Sequence, residues 1–572
     1  LSPDGLVPAL KPLDIIIQGT RLLGAAQGDL RIAVAGSVTT DFLARAIAVG
    51  AAAENFAPVL AQAPFGAWRQ EALDKASALH RFAPDIVVLA TTARDMVADL
   101  PLDAPPEAVA AAIAACVAGF RQVWDALRRG APGRRIIQHL PAAPAGLAGI
   151  GELRLAASPR AQVAALRSAL LEAGPDIVFL ETEGLAADPA AWFGAKLPFG
   201  QDSLPDYLAR LRAALRQATG RGKKLLVLDL DNTLWGGVIG DDGVEALQLG
   251  PDSARGEAFA AFQAHARALA ARGVILAVCS KNDPAIAAAG FSHPHSVLRR
   301  EDFAAFECAW TDKAAGLRRI AAALNIGLDA AVFADDNQAE CALIRAELPE
   351  VTVVALGDDP AAFIGLLEAG HWFETQGLTP EDFARGQAYQ ARARAAEAFS
   401  ATADLAGFLR GLNMRGQVFE ATGAALARIA QLEGKTNQFN LTTRRFDEAA
   451  IQNFAANPEA LVLAATLADK FGDHGLVASL VAVTQGDALR IESWLMSCRV
   501  FSRTLEHFML EGLLAHARAR GAARILGRYV PTAKNGVVAD LFETLGFAPA
   551  EDGFWQLPAG APGPAHFITA AP

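Results

Sequence analysis

The sequence predicts an α/β protein of three domains, two built on parallel sheets and a third of α+β type, and three observations carry that expectation. A chain of 572 residues exceeds what one hydrophobic core organises, and three domains is its natural division. From about residue 30 to 375, short apolar strand candidates alternate with helical stretches, the pattern of parallel sheets covered by helices on both faces. From about residue 411 onward, longer apolar strands follow one another directly, as in "ALVLAATLADKFGDHGLVASLVAV", which points to a mixed, largely antiparallel sheet.

In the first domain, residues 1–220, the expected strands are "RIAVAG" (31–36), "DIVVLA" (85–90), "RRIIQHL" (134–140) and "DIVFLE" (176–181). Helices fill the gaps, as around Val109–Leu127 and Ala161–Glu172. The second domain, 221–375, offers "LLVLDLD", "VILAVCS", "AVFADD" and "VTVVAL", separated by helices near 254–272, 311–324 and 338–348. A helical connector, 376–410, containing "QAYQARARAAEAF", leads to the third domain, 411–572.

Composition narrows the function classes. Hydrophobic residues make up 52% and charged residues 20%, as in a soluble globular protein without room for long disorder. The net charge of −11 disfavours nucleic acid as a partner. Five scattered cysteines without CxxC spacing argue for a reducing cytoplasm and against a zinc site. The longest apolar run, Val109–Phe120, is too short to span a bilayer, and no basic segment followed by an apolar core marks a secretory signal.

Chemistry concentrates in the second domain. In open parallel sheets, ligands bind outside the carboxyl ends of the strands. Those ends deliver Asp229 and Asp231, then Ser280, Lys281 and Asn282, then Asp335 and Asp336, while Lys313 opens the helix before the third of these strands. Clustered carboxylates repel one another and raise each other's pKa, and a bound divalent cation resolves that conflict; an all-oxygen set suits Mg²⁺. Asp229, Asp231, Asp335 and Asp336 are therefore the expected metal-binding carboxylates. Asp229 is placed to attack phosphorus, and Asp231 to protonate the leaving oxygen and later activate water. Thr233, Ser280, Lys281, Asn282 and Lys313 are the expected phosphate-binding residues, and the glycine-rich turn after Asp231 is the expected flap over the site.

"DLDNTLW", "CSKND", "WTDKAAGL" and "VFADDN" resemble, in order, the motifs of the haloacid dehalogenase superfamily of phosphatases and phosphotransferases. The wording is more particular still. "VLDLDNTLWGGVIGDDG", "GEAFAAFQ", "LAVCSKND", "REDFAAF", "ELPEV", "KTNQFNLTTRRF", "SCRV" and "YVPTAKN" together resemble the FkbH family, over about 220–547. That resemblance implies an enzyme that takes D-1,3-bisphosphoglycerate, removes phosphate and loads a glyceryl unit onto an acyl carrier protein for polyketide-type biosynthesis.

The third domain resembles the GNAT acyltransferase fold. There the strand-to-helix junction carries an RxxGxG loop whose amides hold the coenzyme A pyrophosphate. In this sequence the corresponding residues are Arg499, Ser502 and Thr504, so both glycines are replaced and side chains crowd a pyrophosphate, whereas a carrier's pantetheine arm has one phosphate. Asn535, in "PTAKNGV", matches the part of such a site near the pantetheine. Glyceryl loading needs a thiol. Cys498, flanked by Arg499 at a helix N-terminus, has surroundings that lower a thiol pKa; Cys279, next to Ser280 but on the opposite strand face, is the rival, and neither is a third alternative.

"VAGSVTTDF" in the first domain resembles the nucleophile block of SGNH hydrolases, with Ser37 in the serine position. The acidic residue before that serine is Gly36 here, and Asp188 is followed by "PAAW", without the family's histidine. Without a base, Ser37 is a poor nucleophile, so this SGNH-like domain is expected to be non-catalytic, and His139 to be structural. Two other functions stay open from the residues alone: a small-metabolite phosphatase with outer domains as lids, and a carrier-docking scaffold with an inactive site.

Overall fold

The computed structural model describes residues 10–571 except positions 25–26, 130, 132, 145–148, 186, 381, 384, 387–388, 390–404, 437–438, 471, 498–499, 502 and 533–534. By contact density the chain divides into two compact units, Leu1–Arg221 with Ala369–Gly377, and Gly222–Glu368 with Leu378–Pro572.

The first unit is a five-stranded parallel sheet, β1 (Leu30–Gly36), β2 (Pro58–Gln62), β3 (Ile86–Ala90), β4 (Arg135–Leu140) and β5 (Val178–Glu181), in the order β2-β1-β3-β4-β5. Their near-continuous apolar runs are buried on both faces, as parallel strands between helix layers require. One face packs on the helices Asp41–Ala53 and Leu204–Thr219, the other on Pro106–Arg129 and Pro159–Ala173. β2 escapes the sequence pattern because it is a five-residue edge strand opening on proline.

Helix Pro106–Arg129 reaches 24 residues, longer than its apolar run, and by length and composition it is able to cross a membrane. Its Phe120, Val123, Trp124 and Leu127 are nonetheless buried against Leu89 and Ile136 of the sheet. The segment Ala369–Gly377 joins this unit through its own ring and hydrogen-bond contacts. The Arg216 guanidinium lies 4.8 Å over the Trp372 ring and donates to Gly370 O at 2.8 Å, and Gln376 bonds both backbone groups of Phe179 on the edge strand β5. The Gln376 pairing occupies polar groups that an open sheet edge leaves bare.

The second unit holds two sheets. β6 (Leu225–Leu228), β7 (Ile275–Ser280), β8 (Phe303–Cys308), β9 (Ala331–Asp335) and β10 (Thr352–Ala355) are all parallel, in the order β10-β9-β6-β7-β8. Sequence reasoning did not assign β8, whose "FAAFEC" is only partly buried. The second sheet has eight strands. Residues Arg415–Glu420 (β11), Ala460–Asp469 (β12), Gly472–Gln485 (β13) and Ala488–Met496 (β14) pair antiparallel in sequence order. Then Arg524–Arg528 (β15) lies parallel to β14, reached through helix Leu505–Ala519. Ala548–Pro549 (β16), Phe554–Pro558 (β17) and Thr569–Ala570 (β18) complete the order β16-β17-β15-β14-β13-β12-β11-β18. The sheet is thus mixed and mostly antiparallel, matching the α+β expectation.

Most of the expected connector lies outside the described residues. Of what is described, Tyr389 is buried in the core of the five-stranded sheet, and Gln431, on the helix Ala424–Lys435, donates to Asp382 at 2.7 Å.

Candidate active site

Four buried residues, Leu225–Leu228, make β6 a core strand with no freedom of register, and Asp229 follows them directly. Its amide still bonds Ala334 O at 3.1 Å, so the chain leaves the sheet beside the end of β9. β9 ends on Asp335, and Asn337 then caps the helix Gln338–Glu347 by accepting from Ala339 N at 2.9 Å. Two adjacent strands therefore release their acids at one edge. Carboxylate oxygens of Asp229, Asp335 and Asp336 lie within 4.8 Å of one another.

Lys313 is the first residue of helix Lys313–Leu324, capped by Asp312, whose carboxylate accepts from Ala315 N at 2.7 Å. That start aims the ammonium into the acids, 2.6 Å from Asp335 Oδ2 and 3.0 Å from Asp229 Oδ1. The longer contact is an ion pair by distance, without regular hydrogen-bond geometry at the buried Asp229 Oδ1. One cation against three acids leaves negative charge and an orphaned oxygen, and an all-oxygen cluster of this kind fits a divalent ion such as Mg²⁺.

The protonation equilibria respond to this crowding. Burial and then the neighbouring Asp229 push the Asp335 carboxyl above its ordinary range, with Lys313 only partly offsetting them. Burial likewise raises Asp336, against the hydrogen bond from Thr233. Burial on its own would lower the Lys313 ammonium, but Asp229 and Asp335 outweigh it and hold it above the usual lysine value.

Asp231, expected among the metal ligands, lies outside this trio because its carboxylate is held elsewhere. Its Oδ1 accepts from Trp235 Nε1 at 2.9 Å and Ile239 N at 3.0 Å, and its Oδ2 from Asn282 Nδ2 at 2.8 Å. A carboxylate has about four lone-pair sites, so Oδ2 keeps one free for a proton. The turn that supplies two of these donors starts at Asn232 (φ 56°) and needs glycine at Gly237 (φ 101°). The expected flap is therefore tied to the acid it follows. Trp235, which sequence reasoning did not single out as functional, is fully buried with its ring 5.3 Å from Phe291. The available signal was that a buried indole N–H needs an acceptor, and Asp231 stands four residues before it.

The remaining expected phosphate ligands divide. Ser280 and Asn282 are buried at the end of β7, where Asn282 Nδ2 also reaches Ser280 Oγ at 3.4 Å. Thr233 is fully buried and donates to Asp336 Oδ1 at 2.9 Å, so it holds a metal-site carboxylate instead of facing a phosphate. Lys281 points to Glu340, 2.5 Å away on the helix after β9. Cys279 faces the opposite side of β7, in the core beneath helix Lys313–Leu324, and burial drives its thiol far above the usual range. Burial of this kind makes a thiol a poor nucleophile, which counts against Cys279 as the acyl carrier.

Cys498, Arg499 and Ser502 lie outside the described residues. Thr504 sits at the start of helix Leu505–Ala519 with φ 58°, a left-handed conformation costly for a β-branched residue, and its Oγ1 accepts from Phe567 N at 3.3 Å. Asn535 is a correction to the pantetheine-binding expectation. Its Nδ2 donates to Asn440 O and Val530 O, both at 2.9 Å, while Oδ1 accepts from Thr532 N at 2.7 Å and Tyr529 OH at 3.2 Å. With both donors and both lone pairs engaged, this buried amide is a structural knot, not a ligand group. Just before Thr504, Arg503 and His474 both reach Asp469 Oδ2 at 3.0 Å, a buried polar cluster that sequence reasoning missed because its members are five and 34 residues from Asp469.

In the first unit, Ser37 Oγ donates to Asp95 Oδ2 at 2.5 Å, and that oxygen also accepts from Thr92 N at 2.7 Å. His139 Nε2 pairs with Tyr207 OH at 3.1 Å, and burial pushes its imidazole down to about 4, so it is neutral and committed elsewhere.

The chain matches no protein-family model and no curated protein sequence. Among solved structures it is similar to the N-terminal part of the protein BF1531 from Bacteroides fragilis, which contains a phosphatase domain and was crystallised with Mg. That match has 28% identity and a TM-score of 0.56, and covers 64% of this chain and 100% of that one. Matches to GNAT-type structures are partial. The ribosomal-protein-S18-alanine N-acetyltransferase from Escherichia coli is 18% identical with a TM-score of 0.20, covering 26% of this chain and 96% of that one. A GNAT family acetyltransferase from Staphylococcus aureus is 9% identical with a TM-score of 0.21, covering 25% and 99%.

Proposed function

We propose that this chain is a Mg²⁺-dependent phosphoryl-transfer enzyme of the haloacid dehalogenase kind that acts in the cytoplasm. Its substrate is D-1,3-bisphosphoglycerate, and it passes the glyceryl unit to the phosphopantetheine thiol of an acyl carrier protein. The observation that carries the phosphoryl-transfer reading is the convergence of Asp229, Asp335, Asp336 and Lys313 at one sheet edge, with Asp231 held two residues beyond Asp229 by three donors. Similarity to a phosphatase-containing protein crystallised with Mg supports it. The substrate, the carrier and the SGNH-like and GNAT-like domain assignments rest on the resemblance of the sequence motifs.

Asp229, Asp335 and Asp336 would hold the ion, which supplies positive charge to the phosphoryl oxygens and lets the acids stay ionised together. Asp229 attacks phosphorus, and Asp231 gives a proton from Oδ2 to the departing oxygen. Asp231 then takes a proton from the water that cleaves the aspartyl-phosphate and frees Asp229. Lys313, Ser280 and Asn282 line the phosphoryl oxygens, where charge spreads in the transition state. This chemistry hydrolyses the unactivated phosphoester. The acyl phosphate at the other end of the substrate is already activated, so a thiolate displaces its phosphate directly to give a thioester. Cys498 is the proposed site of that transient thioester, before exchange with the carrier thiol.

The test incubates substrate, Mg²⁺ and phosphopantetheinylated carrier, reading free phosphate and the intact mass of the carrier. Asp229→Asn and EDTA should each stop hydrolysis of the phosphoester. Cys498→Ala should still release phosphate from the phosphoester but leave the carrier unloaded. Full turnover in EDTA or in Asp229→Asn would refute the phosphatase assignment, and normal loading by Cys498→Ala would refute the thioester. Phosphate release with no carrier mass gain in the wild-type protein would identify a small-metabolite phosphatase.

A further inference from the structure

The first unit contains a cavity of about 830 Å³ that the proposed reaction does not use. It opens at the carboxyl ends of three adjacent parallel strands, bordered by Thr91 and Thr92 after β3, His139 of β4 and Thr182 after β5. Ligands of open α/β sheets bind at such edges, and small-molecule sites fall at about 300–1,000 Å³.

The lining chemistry defines what fits. Trp192, Phe193 and Phe199 form aromatic wall, and Phe193 is 74% exposed although it lines the cavity. Arg94 lies with its guanidinium 4.5 Å over the Trp192 ring and, among the described residues, makes no ion pair. The acids of the lining do not answer it: Glu183 is 3.4 Å from Arg167, Asp188 accepts from Ala190 N and Ala191 N to cap its helix, and Asp99, exposed like Arg94 itself, makes no ion pair among the described residues. A flat cation stacked on an aromatic rim keeps its N–H fork free for a carboxylate. Among the described residues, the lining includes neither serine nor cysteine, and its His139 is bonded to Tyr207.

We propose that this cavity is a non-catalytic binding site for a small organic carboxylate with an apolar body, its chain against Trp192, Phe193 and Phe199 and its carboxylate on Arg94. The test is calorimetric titration of the full chain with decanoate and, separately, with decanol. Decanoate should bind saturably, one per chain, and decanol about tenfold more weakly, since it lacks the charge-assisted hydrogen bonds. Arg94→Met keeps an unbranched apolar stem and should weaken decanoate about tenfold while leaving decanol unchanged. Phe193→Ala, at an exposed position where folding is not at stake, should weaken both. Absence of saturable decanoate binding would overturn the proposal, as would binding that neither variant alters. Equal affinities for decanoate and decanol would also overturn it, because Arg94 would then select nothing.

Discussion

Lys313→Met isolates the electrostatic logic of the phosphoryl site. The side chains involved are nearly sealed, Lys313 at 5%, Asp229 at 9% and Asp335 at 0% exposure, and methionine keeps the apolar stem while deleting the charge. Removing one partner of a buried ion pair costs about 3–5 kcal/mol, because the remaining charge is left uncompensated. At about 1.4 kcal/mol per tenfold, that is roughly two to four powers of ten in the opening equilibrium of the strand ends. Hydrogen exchange reads it directly at the Asp229 amide, which bonds Ala334 O in the closed state. In EDTA the variant should exchange there faster by that factor. Mg²⁺ should restore protection, since an ion at about 100 times its Kd stabilises the folded state by about 2.7 kcal/mol. Turnover should stay low even with Mg²⁺, because the phosphoryl oxygens lose a cation. Wild-type exchange in EDTA, or no protection by Mg²⁺, would refute the reasoning.

Asn282→Ala removes one of three donors to Asp231, and a hydrogen bond to a charged group contributes about 1.5–3 kcal/mol. The kcat for phosphate release should fall at least about tenfold, and an unaltered kcat would count against the clamped role of Asp231. Ser37→Ala should leave phosphate release and acyl loading intact and cost the first unit about 1.5–3 kcal/mol in urea unfolding, as expected for a hydrogen bond to a carboxylate; esterase activity that vanishes in this variant would contradict a non-catalytic domain. His139, neutral in the fold at about 4 and about 6.5 when unfolded, makes that unit pH-sensitive. Above pH ~6.5 both states are neutral and stability is full; as pH falls toward about 4 the unfolded chain takes the proton first, and up to about 3 kcal/mol is lost. His139→Gln should flatten that slope in urea titrations at pH 7 and 4.5, and an unchanged slope would assign the sensitivity to other groups.

The residues that ended up at the phosphoryl site were readable because their placement is local. An apolar run ends at Leu228, so Asp229 is delivered at a strand end whatever surrounds it; Ser280 and Asp335 follow the same rule, and Asp312 marks Lys313 as a helix start. The burial of Cys279 was half visible, since strand alternation already pointed it away from Ser280.

What tertiary structure alone decided is how these groups spend their hydrogen bonds. Thr233 bonds Asp336 across 103 residues, Lys281 reaches Glu340 across 59, and Asn535 is consumed by Asn440 across 95, so none is free in the way its motif suggests. The same holds for the pairing of Ser37 with Asp95 and for the return of Ala369–Gly377 to the first unit. Periodicity and capping act over a few residues and survive in the sequence as pattern. The partner of a buried polar group is set by which elements pack together, and in a dry interior each donor and acceptor must be satisfied by whatever that packing brings within reach.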